Sequence, residues 1–166
     1  MRNARKFDER ITIGSVPDSD DLNQLKELGY KTLIDLRDDQ EKFGGLVEKR
    51  AKTLGIRYVN VPVSRDEIRM EDVVDFYHAV HEKGSAPIYA FSRFGKRPLA
   101  FLLLFHAVLI NEPISLVYRK ASRFGLDLEG DLTLRSFLVD FYNSGCVEPI
   151  AASIRRLRPD LFAKTV

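Results

Sequence analysis

The chain has 166 residues, of which 45% are hydrophobic and 30% are charged. This size and composition indicate one folded domain and exclude a fibrous, low-complexity or disordered protein. The net charge of +2 is too small, and the basic residues too evenly spread, to predict a nucleic-acid partner. A single cysteine excludes an intrachain disulfide and a cysteine-rich metal cage.

No stretch of the sequence predicts a membrane span. The longest apolar run, residues 99–110, is interrupted by His106 and is well short of the ~20 residues that a bilayer requires. The basic residues near Met1 are not followed by an apolar segment, so no secretory signal is predicted. We therefore expect no membrane partner and a cytoplasmic location.

The first half of the chain alternates between strand and helix patterns. Asp18 or Ser19 is expected to cap the first helix, which ends at Gly29. Gly44 and Gly45 should disfavour or break the first turn of the second helix. Apolar residues with helical spacing define one face of each helix. They are Leu22, Leu25 and Leu28 in the first helix, Val47, Ala51 and Leu54 in the second, and Val73, Phe76, Tyr77 and Val80 in the third, which stops at Gly84. Predicted strands cover residues 11–16, 32–36, 57–63 and 87–91.

The second half of the chain is helical in pattern. Predicted helices cover residues 99–110, 114–124, 132–143 and about 150–157. Pro62 indicates that the strand at residues 57–63 lies at an edge of the sheet or ends there. Strands that alternate with helices predict an α/β fold with a central, mostly parallel sheet of four to five strands, flanked by helices and followed by a helical C-terminal part.

The segment with most chemical content runs from the strand at residues 87–91 through a loop, residues 92–97, into the apolar helix. At such a junction the loop N–H groups and the first amides of the helix can converge on one anion, and the helix dipole adds partial positive charge.

Side chains of this loop agree with an anion site. Arg93, Lys96 and Arg97 add positive charge, Gly95 permits a tight turn, and Pro98 suits the first helical position. The alternative is that the three basic side chains only solvate a strand-to-helix turn.

The loop resembles the phosphate-binding loop of the protein tyrosine and dual-specificity phosphatase superfamily. It is most similar to the bacterial phosphatase-like family that is often fused to beta-lactamase-like hydrolases, in which a strand ends in Cys-Arg-x-Gly-x-Arg before a buried helix. Ser92, Arg93, Gly95 and Arg97 fall on those positions, with Ser92 in place of the cysteine. Similar patterns also lie, in order, at residues 7–17, 21–22, 28–37, 41, 55–63 and 121–128.

The resemblance implies a cysteine-phosphatase-like fold and a phosphate or phosphorylated ligand as partner, with no metal and no cofactor. Single-domain organisation is expected over residues 1–166, with a phosphatase-like core at 7–131 and a helical extension at 132–166. The residues expected to bind phosphate are Ser92, Arg93, Phe94, Gly95, Lys96 and Arg97.

In that family a cysteine thiolate attacks phosphorus, and Ser92 and Arg97 occupy the catalytic positions. A thiol with a reference pKa of ~8.5 becomes a thiolate beside loop amides and a helix terminus, whereas a serine hydroxyl needs an adjacent base. His78, His81 and His106 can reach Ser92 only through the fold. We therefore expect the loop to bind an anion while covalent catalysis is lost.

Several alternatives stay open from the sequence. The chain could be an active phosphatase seen as a Cys-to-Ser mutant, although Phe94, Lys96 and Pro98 also depart from the small polar residues of the family, which favours natural divergence. The four residues between Ser92 and Arg97 also match a rhodanese-type sulfurtransferase loop, which needs the cysteine as well. A further alternative is a binding or scaffolding module whose working surface lies in the C-terminal helices.

Other residues have weaker assignments. Asp66, or Glu67, is a candidate general acid in the loop after the third strand, and a solvated carboxylate near a helix N-terminus is the competing interpretation. Cys146 is expected to be a packing or surface thiol. His78 and His81 lack a third metal ligand, and the basic cluster at residues 155–158 is interpreted as a solvated helix face. The sequence identifies no protein partner.

Overall fold

The computed structural model describes residues 1, 3–144, 151–152 and 155–156 of the chain. Strands and helices alternate up to residue 91, and helices follow. The elements are β1 (Arg5–Lys6), β2 (Ile11–Gly14), α1 (Ser19–Glu27), β3 (Thr32–Arg37), a 3₁₀ turn (Asp39–Glu41), α2 (Leu46–Thr53), β4 (Arg57–Val63), α3 (Met70–His81), β5 (Ile88–Phe91), α4 (Lys96–Ile110), α5 (Ile114–Arg123) and α6 (Leu132–Ser144).

A five-stranded sheet with the order β1-β2-β5-β3-β4 forms the centre of the fold. Strands β2, β5, β3 and β4 are parallel, and only β1 is antiparallel to its neighbour. Residues Ile88 to Phe91 of β5 pair with both β2 and β3, so the strand that leads into the candidate loop lies in the middle of the sheet. The prediction of a mostly parallel α/β sheet flanked by helices is confirmed.

Each face of the sheet is covered by helices. Because side chains alternate along a strand, Leu33 points to a cluster with α1 and α2, while Ile34 points to the larger cluster with α3 and α4. Helix α4 is buried along most of its length, which explains its continuous apolar sequence. Leu134 and Leu138 of α6 pack into the same large cluster.

The termini of the first helix agree with their sequence signals, and one stripe residue does not. Asp18 caps α1 by accepting a hydrogen bond from the Asp21 N–H, and Gly29 has a φ of 79°. Leu28, however, is 60% exposed, so its assignment to the buried stripe is wrong. The reason is that Leu28 is the C-cap residue, beyond the last helical turn that faces the sheet.

Three further expectations are refined. Gly44 and Gly45 do not break α2, because Gly45 has a φ of 64° at the N-cap and the helix begins at the next residue. Pro98 is the third residue of α4, not the first, although it stays in the first turn, where no intrahelical N–H bond is made. Pro62 lies in β4, which is an edge strand as predicted.

The C-terminal predictions fall partly outside the described residues. Cys146 lies there, as do residues 157–158 of the basic cluster and half of the helix predicted at residues 150–157. Among the residues that the structure describes, no helix has the length and apolar character needed to cross a bilayer.

Candidate functional site

The candidate site lies at the carboxyl edge of the parallel strands. The loops that follow β3, β4 and β5 meet there, bringing together Glu41, Arg65 and the loop at residues 92–97. This edge of an open α/β sheet is where ligands usually bind.

Close packing against β2 sets the shape of the loop. Gly95 has a φ of 79°, and a Cβ added there would lie 3.0 Å from the carbonyl oxygen of Gly14. The Ser92 N–H donates to that same oxygen at 3.4 Å, in continuation of the β2–β5 ladder. Only glycine meets both the left-handed backbone and the close approach at position 95.

Ser92 is buried, 3% exposed, at the base of the loop. Its Oγ accepts a hydrogen bond from the Gly95 N–H at 3.1 Å. The hydroxyl proton of Ser92 therefore remains available as a donor to a ligand oxygen. Within the described part of the chain, the N–H groups of Arg93 and Phe94 make no hydrogen bond.

Arg97 is held in a buried network at the start of α4. Its Nη1 donates to Glu41 Oε2 at 2.6 Å and to the carbonyl oxygen of Leu36 at 3.0 Å, and its Nη2 donates to Glu41 Oε1 at 3.0 Å. The side chains of Arg97 and Glu41 are only 11% and 6% exposed. A bidentate arginine–carboxylate pair of this kind fixes the plane of the guanidinium.

Three of the five guanidinium donors of Arg97 are used by these bonds. The Nε–H and the second N–H of Nη2 have no acceptor among the described residues, and both lie along the same side of the planar fork. That side has the geometry that binds two oxygens of a phosphate or carboxylate.

Glu41 is itself positioned by a reciprocal cap. The Asp38 carboxylate accepts from the Glu41 N–H at 3.1 Å, and Glu41 Oε2 accepts from the Asp38 N–H at 3.3 Å. This capping box orders the 3₁₀ turn after β3 and directs the Glu41 carboxylate at Arg97.

A second buried ion pair lies beside the first. Asp35, fully buried in β3, accepts from Arg37 Nη2 and from the Tyr58 hydroxyl, both at 2.7 Å. Burial disfavours the charge of Arg37, but the bond and charge of Asp35 outweigh it, so the Arg37 pKa is raised. Burial, together with the Asp35 hydrogen bond, also raises the pKa of Tyr58.

The loop forms one wall of a cavity of about 150 Å³. Ser92, Arg93, Phe94, Lys96, Arg97, Glu41, Ser64, Arg65, Ile68, Asp131, Thr133 and Leu134 line it. Five of the six residues expected to bind phosphate therefore line one cavity, and the sixth, Gly95, sets the turn. Lys96 Nζ lies 3.7 Å from an oxygen of Asp131, so its charge is directed at the start of α6.

Asp66 is not brought into this cavity. It is exposed, its N–H donates to Ser64 Oγ at 3.1 Å, and with Glu67 it lines a neighbouring cavity beside α6. Its role as general acid stays a prediction. The carboxylates that do line the Ser92 cavity are Glu41 and Asp131.

The three histidines lie away from Ser92. His106 is exposed in a different cavity, His78 contacts Arg156, and His81 Nδ1 contacts the carbonyl oxygen of Tyr77. Over the residues described, no three His, Cys, Asp or Glu side chains are grouped so that they could hold a metal ion.

Reasoning from sequence missed three residues of the site. Glu41 appeared there only as part of the family pattern, and neither Arg65 nor Asp131 was assigned a role in the site. A buried acid beside an arginine-containing loop can be anticipated in general, because a buried guanidinium needs a partner. The position of this acid, Glu41, lies 56 residues before Arg97 in the chain and follows only from the tertiary fold.

Comparison with known proteins agrees with this architecture. The chain is 30% identical over 109 residues to the beta-lactamase hydrolase-like protein of Agrobacterium fabrum, an alignment that covers 63% of this chain and 25% of the relative. The aligned part thus spans about a quarter of that longer protein.

Two solved structures share the fold. A candidate phosphatase from Neisseria meningitidis has a TM-score of 0.64 at 26% identity, covering 81% of this chain and 96% of that chain. A Cys-to-Ser variant of TpbA from P. aeruginosa, in complex with phosphotyrosine, has a TM-score of 0.64 at 15% identity and covers 81% of each chain.

The family itself is established by a match over residues 3–108, which include the whole sheet, the 3₁₀ turn of Glu41 and the loop with Arg97. The chain belongs to the family described as "Beta-lactamase hydrolase-like protein, phosphatase-like domain".

Proposed function

We propose that this phosphatase-like domain binds a phosphate or phosphoryl group at residues 92–97 and is impaired in catalysis because Ser92 occupies the position of the nucleophilic cysteine. The observation that carries the proposal is the state of Arg97, whose fork is fixed by Glu41 while two N–H groups on one side remain free of acceptors within the described chain.

The binding half of the proposal rests on converging donors. The Ser92 hydroxyl, the free side of Arg97 and the amides of Arg93 and Phe94 all belong to one short loop beside one cavity. The first-turn amides of α4 add donors and the positive end of the helix dipole. A tetrahedral dianion such as phosphate can accept several of these bonds at once.

The loss of catalysis rests on what surrounds Ser92. Of the carboxylates in its cavity, Glu41 is bound to Arg97 and Asp131 accepts from the Leu134 N–H at 3.2 Å while facing Lys96. Of the described residues that line the cavity, none is a histidine. A serine without an adjacent base is a weak nucleophile, whereas a cysteine at a helix N-terminus ionises readily.

The second candidate function is an active phosphatase that is seen here as a Cys-to-Ser mutant. The retention of Arg97 and its buried partner Glu41 favours it, because this arginine keeps N–H donors that could bind a phosphoryl group during catalysis. The complex of the TpbA variant shows that a Cys-to-Ser change in that protein is compatible with phosphotyrosine binding. Ser92→Cys decides this case, since restored hydrolysis is expected only if the rest of the machinery is intact.

Thermal unfolding in increasing phosphate, together with an aryl phosphate assay, tests the proposal. Phosphate should raise the Tm of the wild-type chain in a saturable way and Arg97→Lys, which keeps a positive charge opposite Glu41 but lacks the planar fork, should abolish most of that rise. Arg119→Ala, an exposed arginine on α5, is the matched control and should retain it.

The wild-type chain is expected to hydrolyse the aryl phosphate no faster than the Ser92→Ala variant does. Robust turnover that disappears in Ser92→Ala would contradict impaired catalysis. An equal phosphate response in wild type and Arg97→Lys would contradict the binding site, and would instead favour a scaffolding module in which the loop is a relic.

A further inference from the structure

We propose a second anion subsite, formed by Arg65 and Arg93, so that the ligand of this domain is a small molecule with a second anionic group close to its phosphoryl group. This inference rests on the proposed phosphate site at residues 92–97 and adds the class of ligand to it.

Arg65 and Arg93 belong to the lining of two cavities. Arg93 is part of the loop, Arg65 follows β4, and both line the cavity of Ser92 on one side. They also line a larger cavity of about 460 Å³, together with Val16, Arg37, Gln40, Glu41 and Phe43. A volume of this size lies in the range of ~300–1,000 Å³ that accommodates small ligands.

The positive charge of these two arginines is not neutralised within the described chain. Neither side chain forms an ion pair or a hydrogen bond with a described residue. The other charged residues of the larger cavity are already paired, since Arg37 is bonded to Asp35 and Glu41 to Arg97. The lining that the two cavities share therefore carries two positive charges without an acidic partner among the described residues, because Glu41, its third member, is bonded to Arg97.

Arg93 is also oriented before any ligand binds. Its Cζ lies 5.1 Å from the centre of the Phe94 ring, which is 59% exposed. A guanidinium that rests on an aromatic face loses less conformational freedom when it receives an anion than one that is extended into solvent. Phe94 departs from the small polar residue of the family pattern, and in this chain its ring serves to orient the Arg93 guanidinium.

The arrangement favours a small bis-anionic ligand over a monoanionic one. One anionic group would occupy the Ser92 loop, and the second would lie against Arg65 and Arg93. Val16 and Phe43 are apolar parts of the lining of the larger cavity, so the second charge is expected close to Arg65 and Arg93.

Calorimetric titration with non-hydrolysable phosphonates tests this subsite. Methylphosphonate carries one anionic group, while methylenediphosphonate and 1,3-propylenediphosphonate add a second through a short and a longer linker. At constant ionic strength, the wild-type chain should bind at least one of the diphosphonates about tenfold or more tightly than methylphosphonate, as expected for an additional charge-assisted contact. Arg65→Ala, which lies outside the loop at residues 92–97, should lose most of that advantage and keep its affinity for methylphosphonate within about threefold.

Arg119→Ala is the control for general loss of positive charge and should keep the full advantage. Equal affinity of the wild-type chain for all three compounds, or an advantage that survives in full in Arg65→Ala, overturns the subsite while the phosphate site stands. Phenyl phosphate, an aromatic monoester, is the last probe. If its affinity exceeds that of methylphosphonate by as much as the affinity of the diphosphonates does, an apolar ring serves as well as a second anion, and the subsite is overturned. Failure of every probe, methylphosphonate included, contradicts the proposed function and with it this inference.

Discussion

At the scale of single residues, Gly95 is the position where backbone geometry and the site depend on each other. Gly95→Ala should be more destabilising than Gly84→Ala, although both glycines have a φ of 79°. A Cβ at position 84 meets nothing within 4 Å, whereas at position 95 it lies 3.0 Å from the oxygen of Gly14. We expect a loss of about 1 kcal/mol for Gly84→Ala and at least twice that for Gly95→Ala, measured by urea unfolding.

The same pair of variants also reports on function. Gly95→Ala should lose most of the phosphate-induced rise in Tm, because the N–H of residue 95 and its neighbours are displaced, while Gly84→Ala should keep it. Equal destabilisation and equal phosphate response in the two variants would show that the approach to Gly14 is unimportant.

Glu41 stabilises the charge of Arg97 in a buried position. Glu41→Gln keeps the shape but removes the negative charge, and it should cost about 3 kcal/mol, as expected when one partner of a buried pair is lost. Added phosphate supplies negative charge to the same guanidinium, so the rise in Tm should be larger in Glu41→Gln than in wild type. Glu129→Gln, an exposed control, should change neither quantity. Identical phosphate shifts in Glu41→Gln and wild type would argue that phosphate does not contact Arg97.

Individual residues of the site differ in how far the sequence could predict them. Ser92, Arg93, Gly95 and Arg97 were identifiable because they are consecutive or nearly so and match a short motif between a strand and a helix. Arg65 could not be assigned, since its place in the lining of the Ser92 cavity depends on where the loop after β4 lies relative to the loop at residues 92–97. Contacts between loops that are far apart in the sequence leave no local pattern by which they could be predicted.

At the scale of elements, the 3₁₀ turn at Asp39–Glu41 connects the sheet to the site. Asp38→Ala removes the carboxylate that accepts from the Glu41 N–H, and the unfolding free energy should fall by about 1 kcal/mol. Asp39→Ala is the neighbouring control, because the Asp39 side chain is 94% exposed and, among the described residues, pairs with Lys42 alone. It should change stability by less than about 0.5 kcal/mol. Chemical denaturation of the two variants measures the difference. Equal losses would indicate that the cap contributes no more than a surface ion pair.

Helices and strands with a strong local sequence pattern were predictable, and those with a weak pattern were not. The helices α1, α3 and α4 have apolar stripes or runs, and their positions follow from the sequence. Strand β1 was missed, because two residues, Arg5 and Lys6, cannot show an alternating pattern. It forms only by pairing with β2, which is a tertiary contact.

At the scale of the whole molecule, the parallel sheet explains why the site lies at one edge. Strands β3, β4 and β5 all run in one direction, so the loops after them end on the same side and their polar residues accumulate there. The class of sheet was predictable from alternating strands and helices, but the order β1-β2-β5-β3-β4 was not, because strand order is decided by packing across the complete core.

Three tyrosines, of which Tyr89 is buried and Tyr58 and Tyr142 are half-buried, are expected to make the fold sensitive to alkaline pH. Burial, with a smaller contribution from Glu112, raises the pKa of Tyr142 to about 12, and burial also raises the pKa of Tyr58 and Tyr89. A phenol whose pKa is higher in the folded than in the unfolded chain holds its proton more tightly when folded. Its contribution to stability is complete below the unfolded value of ~10 and is lost as the pH rises toward the folded value.

Tyr142→Phe tests this relation in the window between its unfolded pKa of ~10 and its folded pKa of about 12. At neutral pH the variant should lose about 1 kcal/mol, since the Tyr142 hydroxyl donates to the Glu112 carbonyl at 2.9 Å. Above the unfolded pKa its stability should fall less steeply than that of the wild type, by up to about 1.4 kcal/mol per pH unit. Urea unfolding followed by circular dichroism at a series of alkaline pH values measures both slopes. Parallel slopes for the two chains would show that Tyr142 ionises equally in the folded and unfolded states, in which case its burial has no part in alkaline unfolding.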